Sequence, residues 1–335
     1  MNQIKFGVVG CSPMAIRHMH GVDENPNAVL VSVCDTNAQR LEKCKAEFPG
    51  VQAFDCYDDL LKSGIDAVII VTPDQLHREM VEKAVRADLH ILCEKPLALT
   101  EEDCLAIVCA AEKTSKKVMV GQLARHTPSF MQAKALIDSG RIGELTFVES
   151  EYAHDYKHMF EEHPEKNYWR NDPLRNGVVG GGCHAIDLLR WIAGDVTEVC
   201  GISTGKTMPE LPYDDTHVAI MKFEGGIIGK VFVSISCKRD YTMRTVLYGT
   251  KGTIITDNTS DHFTLFYTDE EGKLQNETIA VEVSNHNAIG EVAEFCDLII
   301  KDREVSTPVT EGYKTVKAAL AIVKSADMGG VPVKL

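Results

Sequence analysis

The densest chemical signal in this chain is Glu94-Lys95-Pro96, directly after the apolar run His90-Ile91-Leu92-Cys93. In an open parallel sheet, ligands bind beyond the carboxyl ends of the strands. A lysine emerging there can steady a developing alkoxide, and the proline after it restricts the local backbone. The competing reading is a surface lysine ahead of a loop-starting proline, and the surrounding motifs must decide between them. A second signal is Gly10-Cys11-Ser12-Pro13-Met14-Ala15, at the position of a G-x-G-x-x-G turn. Ser12 stands for the second glycine and Ala15 for the third. The first glycine makes the tight turn, the second lets the backbone approach a pyrophosphate, and the third lets a helix pack closely. Asp35 lies 25 residues after Gly10, at the end of the next apolar run. An acidic group there accepts hydrogen bonds from an adenosine ribose and repels a 2′-phosphate. NAD is therefore favoured, while Arg40 leaves NADP possible. Asp35 also suits the N-cap of the following helix. Thr72-Pro73…His77 closes a third apolar run, on the edge where a nicotinamide ribose would pass. The candidate cofactor-binding residues are Gly10, Ser12, Pro13, Met14, Ala15, Asp35, Thr72, Pro73, His77, Glu94 and Lys95.

These residues need strands to hold them, and the pattern supplies them. Apolar runs at 4–10, 28–34, 65–71, 90–93 and 117–120 alternate with helical patterns through about 22, 37–48, to 87 and 100–113. That alternation predicts right-handed crossovers and a doubly wound parallel sheet. After about residue 144 the style changes. Runs at 217–223 and 227–236 flank Glu224-Gly225-Gly226, a hairpin signal, and 243–248, 252–256, 263–267 and 277–283 read as further strands. The expectation is a large, mainly antiparallel open sheet, followed by helices at about 287–301 and 311–327. The fold class is therefore α/β in the N-terminal half and α+β in the C-terminal half.

Composition sets the outer bounds. A chain of 335 residues with 44% apolar content suggests two domains with full cores. No apolar run approaches the roughly 20 residues that span a bilayer. Met1-Asn2-Gln3 runs straight into a strand with no leader pattern. The 11 cysteines are an odd number without a C-x-x-C pair, and several sit in apolar strands. A reducing, cytoplasmic setting is expected, with no membrane partner. The net charge of −14 argues against a general nucleic-acid surface.

The turn at Gly10, Asp35, Thr72-Pro73…His77 and Glu94-Lys95-Pro96 occur in the order seen in the Gfo/Idh/MocA oxidoreductases. The resemblance runs on through Val120-Gly121-Gln122-Leu123-Ala124-Arg125, Trp169-Arg170, and Gly181-Gly182-Cys183-His184-Ala185-Ile186-Asp187-Leu188-Leu189-Arg190-Trp191. It ends with Thr307-Pro308…Glu311-Gly312 and 318–325, and so covers essentially the whole chain. It implies a Rossmann domain (1–124), then a substrate-binding and oligomerisation domain (125–335), with the active site between them. The outer face of the second sheet is implied as the contact of a homodimer or homotetramer. The peptide before Pro96 is implied to be cis.

The resemblance assigns the family lysine to Lys95 and its histidine to His184. Oxidising a secondary alcohol needs a hydride acceptor and a base for the hydroxyl proton. His184, at the start of the apolar helix 185–193, would stay neutral beside the helix dipole and accept that proton. Lys95 would stabilise the oxygen's negative charge. Many relatives carry Asp four residues before this histidine, where this chain has Gly180. Asp187, one helical turn later, is the expected substitute partner, making the catalytic set Lys95, His184 and Asp187; otherwise the histidine works unassisted or the reaction is not a simple alcohol oxidation. Expected substrate contacts are Lys95, His184, Arg125 and, from the His- and Tyr-rich loop 152–170, His154, Tyr156 and Trp169. His154 and His158 have i,i+4 spacing, but nothing completes a ligand set, so no metal is expected.

The expected activity is an NAD(P)-dependent oxidoreductase acting on a hydroxyl or keto group of a sugar, sugar acid or cyclitol. One alternative is a lyase, epimerase or glycosidase that uses tightly held NAD for transient oxidation. Another is a non-catalytic NAD-sensing protein.

Overall fold

The computed structural model describes residues 3–165, 168–284 and 286–335. Met1 and Asn2 of the N-terminal reading, and 166–167 within the His- and Tyr-rich loop, lie outside the described residues. Among these, helices run in chain order as α1 (Pro13–Asp23), α2 (Ala38–Glu47), α3 (Tyr57–Leu60), α4 (His77–Arg86), α5 (Glu101–Ala111), α6 (Pro128–Asp138), α7 (Lys157–Glu162), α8 (Cys183–Ala193), α9 (Ala288–Ile300) and α10 (Val309–Asp327).

The first compact unit comprises 1–122 and 287–313. Its six strands are β1 (Ile4–Val9), β2 (Ala28–Cys34), β3 (Gln52–Phe54), β4 (Ala67–Ile70), β5 (His90–Glu94) and β6 (Val118–Gly121). All pair in parallel in the order β3-β2-β1-β4-β5-β6. Ala67, Val68, Ile69 and Ile70 are all fully buried, which explains why β4 reads as an unbroken apolar run. The strand order reverses between β1 and β4. Sheets of this kind form their ligand crevice at such a switch point, beyond the carboxyl ends of these two strands, where Gly10 and Thr72 lie.

Segment 287–313, grouped with the second half by sequence, packs with the first unit. Val292, Phe295 and Cys296 of α9 enter the core formed by Phe6, Val8 and Met19, with the Phe6 and Phe295 rings 6.2 Å apart. Gly21 of α1 permits this approach, because a Cβ there would sit 3.1 Å from the Ala288 carbonyl oxygen and 3.2 Å from Val292. An apolar stripe shows that a helix is buried, not which sheet buries it.

The second unit comprises 123–286 and 314–335. Its nine-stranded sheet is built from β7 (Leu145–Ala153), β8 (Val196–Thr204), β9 (Thr216–Phe223), β10 (Ile228–Ser234), β11 (Thr245–Gly249), β12 (Gly252–Thr256), β13 (His262–Thr268), β14 (Leu274–Ala280) and β15 (Val333–Lys334). The order is β14-β13-β12-β11-β7-β10-β9-β8-β15, antiparallel except for the β7–β10 pair. β9 and β10 meet at the expected Glu224–Gly226 turn, with Gly225 and Gly226 at positive φ. β3, β7, β8, β15, α3, α6 and α7 were not read from the sequence. β14 pairs at 274–280 rather than 277–283, because this largely exposed polar strand carries little periodicity to fix it.

Candidate functional site

Gly10 has φ +92°, and a Cβ there would overlap the Val71 carbonyl oxygen at the end of β4. No side chain fits, so only backbone is presented at this turn. Ser12 is the N-cap of α1, its hydroxyl accepting from the Ala15 N–H at 3.3 Å, and Pro13 occupies the first helical position. Met14 is half-buried and Ala15 fully buried, as close helix packing requires. The N-terminal end of an eleven-residue helix thus faces the crevice, a natural seat for a pyrophosphate.

Asp35 is buried, and its two oxygens accept from the Cys11 and Asn37 backbone N–H groups, each at 2.8 Å. The N-cap of α2 is Asn37, which accepts from Gln39 and Arg40. The N-cap reading of Asp35 is therefore overturned. Arg40 approaches the Asp35 carboxylate at 3.7 Å, so the cation that left NADP open is drawn to Asp35 itself.

At the next strand end, the Thr72 hydroxyl is buried and has no hydrogen-bond partner among the described residues. Pro73 follows, half-buried, before a 3-10 turn. His77 corrects an expectation. Its ring is fully buried, with Nδ1 2.9 Å from the Pro96 carbonyl oxygen and Nε2 3.2 Å from that of Thr72. Burial opposes its charge, but Cys93, Asp74 and the Pro96 carbonyl outweigh that and lift its pKa to about 10. His77 ties the Thr72 and Pro96 loops together instead of facing a cofactor.

The Lys95–Pro96 peptide is cis, as the resemblance implied. Lys95 is half-buried at the end of β5. Glu94, expected at the cofactor, turns inward: Oε1 lies 2.9 Å from His18 Nε2, and Oε2 accepts the Lys95 N–H at 3.0 Å. Burial opposes ionisation of Glu94, yet the His18 hydrogen bond and the Lys95 charge hold its pKa below the usual carboxylate range.

In the second unit, His184 is the second residue of α8 and is buried. The helix does not begin there. A π-helical turn, Val178–Gly182, runs directly into α8, so the residues before His184 are already helical. The start of the helical turn lies earlier, where the Asn176 side chain accepts the Val178 N–H. The expected dipole effect on His184 is therefore weakened, because it fades within the first turn.

Glycines 180–182 let this turn pack tightly. A Cβ on Gly180 would lie 2.5 Å from the Arg175 guanidinium carbon, on Gly181 2.5 Å from the Tyr152 ring, and on Gly182 2.6 Å from Val233. The place a side chain at 180 would take is filled by Arg175. Asp187, expected to partner His184, instead grips Arg125: Nε donates to Oδ2 and Nη2 to Oδ1, both at 2.8 Å. Thr315 donates to the same carboxylate at 3.1 Å. Arg125 is thus a buried structural cation rather than an open substrate contact.

The His184 ring stacks on Tyr152 (centroids 6.0 Å apart, planes 20° apart) and meets His286 edge-on at 5.0 Å. Tyr152 Oη bonds Tyr156 Oη at 2.7 Å and His154 Nδ1 at 3.2 Å. Tyr241 lies 4.7 Å from the His154 ring and shares a hydrogen bond with His286. Burial pushes the Tyr152 and Tyr241 phenols well above their ordinary range, so both stay protonated. Tyr152, His154, Tyr156, Tyr241 and His286 surround His184 with polar-tipped rings. Tyr241 and His286 were missed, since loops far along the chain bring them here and no spacing announces them. Trp169 is engaged otherwise, the Arg170 and Arg175 guanidinium groups lying 3.9 and 4.6 Å from its ring centre.

Among the described residues, one group has metal-ligand geometry, and it is not the histidines of the 152–170 loop. It is His18, Glu94 and Glu291, all buried in the first unit.

Comparison with known proteins gives this arrangement its context. Residues 4–122 match the model of an oxidoreductase family with an NAD-binding Rossmann fold, and 130–255 match the GFO/IDH/MocA C-terminal domain. Inositol 2-dehydrogenase 2 of Saccharopolyspora erythraea is 29% identical over 259 residues, spanning 75% of this chain and 72% of that one. A 1-carboxy-3-chloro-3,4-dihydroxycyclohexa-1,5-diene dehydrogenase of Comamonas testosteroni is 30% identical, over 69% of this chain and 58% of its own. Levoglucosan dehydrogenase in complex with NADH and levoglucosan shares the fold across 99% of both chains, with TM-score 0.90 at 22% identity. With both of its domains matched by that family's models, the chain belongs to the GFO/IDH/MocA oxidoreductases.

Proposed function

We propose that this protein is an NAD-dependent dehydrogenase that interconverts a hydroxyl and a keto group on a sugar or cyclitol. The carrying observation is the switch-point crevice, with a glycine that no other residue can replace, an acidic residue bracing its turn, and Lys95 one strand away. The residues fit the cofactor. Gly10 leaves room for backbone contact, α1 offers its N-terminus, and Thr72 holds a buried hydroxyl with no partner among the described residues. Gly10, Ser12, Pro13 and Met14 would hold the pyrophosphate, and Asp35 the adenosine ribose. When bound, NAD supplies the hydride acceptor.

The chain's own residues supply the rest. His184 takes the hydroxyl proton, and Lys95 stabilises the alkoxide as it forms. In the reverse direction the same two groups polarise the carbonyl. Tyr152 backs the imidazole, and His154, Tyr156, Tyr241 and His286 suit a ligand with many hydroxyls. The relatives that act on inositol and levoglucosan support this substrate class.

All eleven cysteines are free thiols, which supports a reducing compartment such as the cytoplasm. No helix among the described residues is long and apolar enough to cross a membrane. A second copy is the proposed partner. Ile202, Ile220 and Ile228 stand exposed on one face of β8–β10, opposite the buried Val199, Met221 and Val231. Light scattering should give a dimer or tetramer mass, and Ile220→Asp a lower one.

The central test incubates purified protein with inositols, levoglucosan and related polyols in the presence of NAD or NADP. Stoichiometric NADH release is expected. Calorimetry showing no binding of either nucleotide would refute the proposal, and turnover without net NADH would favour transient oxidation.

A further inference from the structure

His18 on α1, Glu94 at the end of β5 and Glu291 on α9 meet in the interior of the first unit, their nitrogen and oxygen atoms within 4.8 Å of one another. His18 and Glu291 are wholly buried and Glu94 nearly so. Neither oxygen of Glu291 has a hydrogen-bond partner among the described residues. Room for the group comes from Gly121 on β6, where a Cβ would lie 3.3 Å from Glu94 Cα and 3.6 Å from Glu291 Oε2. Packing alone would be served by an apolar residue at 291, so a buried carboxyl close to a second carboxyl calls for a chemical account.

We infer that His18 and Glu291 are positioning residues for Lys95, acting through Glu94. This rests on the reading of Lys95 as the group that meets the substrate oxygen. Two carboxyl groups this close and this deeply buried do not both ionise. Glu94 is the charged one, since it faces His18 Nε2 with one oxygen and takes the Lys95 N–H with the other. Glu291 keeps its proton: burial, then the charges of Glu94 and of Glu294 on its own helix, raise its pKa well above the carboxylate range. One negative charge is then held between two donors, and the Glu94 side chain has one stable seat. Because Glu94 and Lys95 are adjacent, fixing that carboxylate fixes the backbone from which the lysine side chain departs.

A bound cation is the competing occupant, and the geometry disfavours it. His18 Nε2 is engaged by Glu94 Oε1, and Nδ1 has no partner among the described residues. A metal-ligating histidine almost always anchors its second nitrogen.

Two arms test the inference. The first needs no substrate. Infrared spectra at neutral pH should show a protonated-carboxyl band that disappears in Glu291→Gln, and elemental analysis should find no stoichiometric metal. Absence of the band, or a metal that Glu291→Gln releases, overturns the inference. The second arm uses the polyol found by the turnover panel. His18→Asn and Glu291→Ala should each lower kcat on the order of tenfold with NADH affinity unchanged, and Glu291→Gln should restore it. If both variants keep wild-type kcat while Lys95→Met is inactive, the inference fails and the proposed function stands. An active Lys95→Met would instead strike the proposed function.

Discussion

Asp187 and Arg125 form a two-pronged ion pair inside the second unit, with both bonds at 2.8 Å and both side chains out of solvent. The acidic residue one helical turn from His184 is therefore a brace between α8 and the start of the unit. Asp187→Ala should remove both bonds of this buried ion pair, at a cost of about 3–5 kcal/mol, read as a fall in denaturant midpoint. Replacing both, as Arg125→Met with Asp187→Leu, should recover most of that loss. A stable Asp187→Ala protein with impaired proton transfer would restore the role of His184's partner to Asp187.

Gly10→Ala should abolish nucleotide binding, since its Cβ would overlap the Val71 carbonyl and its φ of +92° disfavours any side chain. The conformational strain alone is about 1–3 kcal/mol. Calorimetry checks the affinity, and circular dichroism shows whether the rest of the fold survives.

Asp35→Ser should remove the charge that repels a 2′-phosphate and free Arg40 to meet one. The NADP-to-NAD affinity ratio should rise by on the order of tenfold, equivalent to about 1.4 kcal/mol. Some loss of stability is expected too, because Asp35 also accepts the Cys11 and Asn37 N–H groups.

Lys95→Met and His184→Ala should each lower kcat by about 10²–10⁴-fold while NADH binds within its normal range. Stopped-flow turnover and fluorescence titration separate the two effects. Equal loss of NADH affinity in both variants would point to structural rather than catalytic roles.

Acid should destabilise the protein before its carboxylates titrate. Burial lowers the His217 pKa to about 4, and burial with Lys116 and Lys117 lowers that of His90 to about 4. Between that value and about 6.5, the unfolded chain binds the extra protons. The contribution of these two groups is therefore complete above the unfolded pKa and is lost as pH falls towards 4, by up to about 1.4 kcal/mol per pH unit for a fully buried group. Melting curves across that window should slope less in His217→Gln.

The sequence determined everything that local geometry dictates. Gly10, Ser12 and Ala15 are set by the tight turn, the helix cap and helix packing, and the apolar run at 67–70 by burial of β4 on both faces. The position of Lys95 at a strand end followed from the same alternation, and so did the class of fold. Tertiary structure alone decided where the side chains turn. Asp187 went to Arg125 and not to His184, His77 to two carbonyl groups and Glu94 to His18. Tyr241, His286 and Glu291 joined their clusters from distant loops and helices. The physical reason is range. A turn or a buried strand is specified by neighbours a few residues away, whereas a buried charge takes whichever partner packing brings within hydrogen-bond reach, and spacing along the chain does not encode that choice.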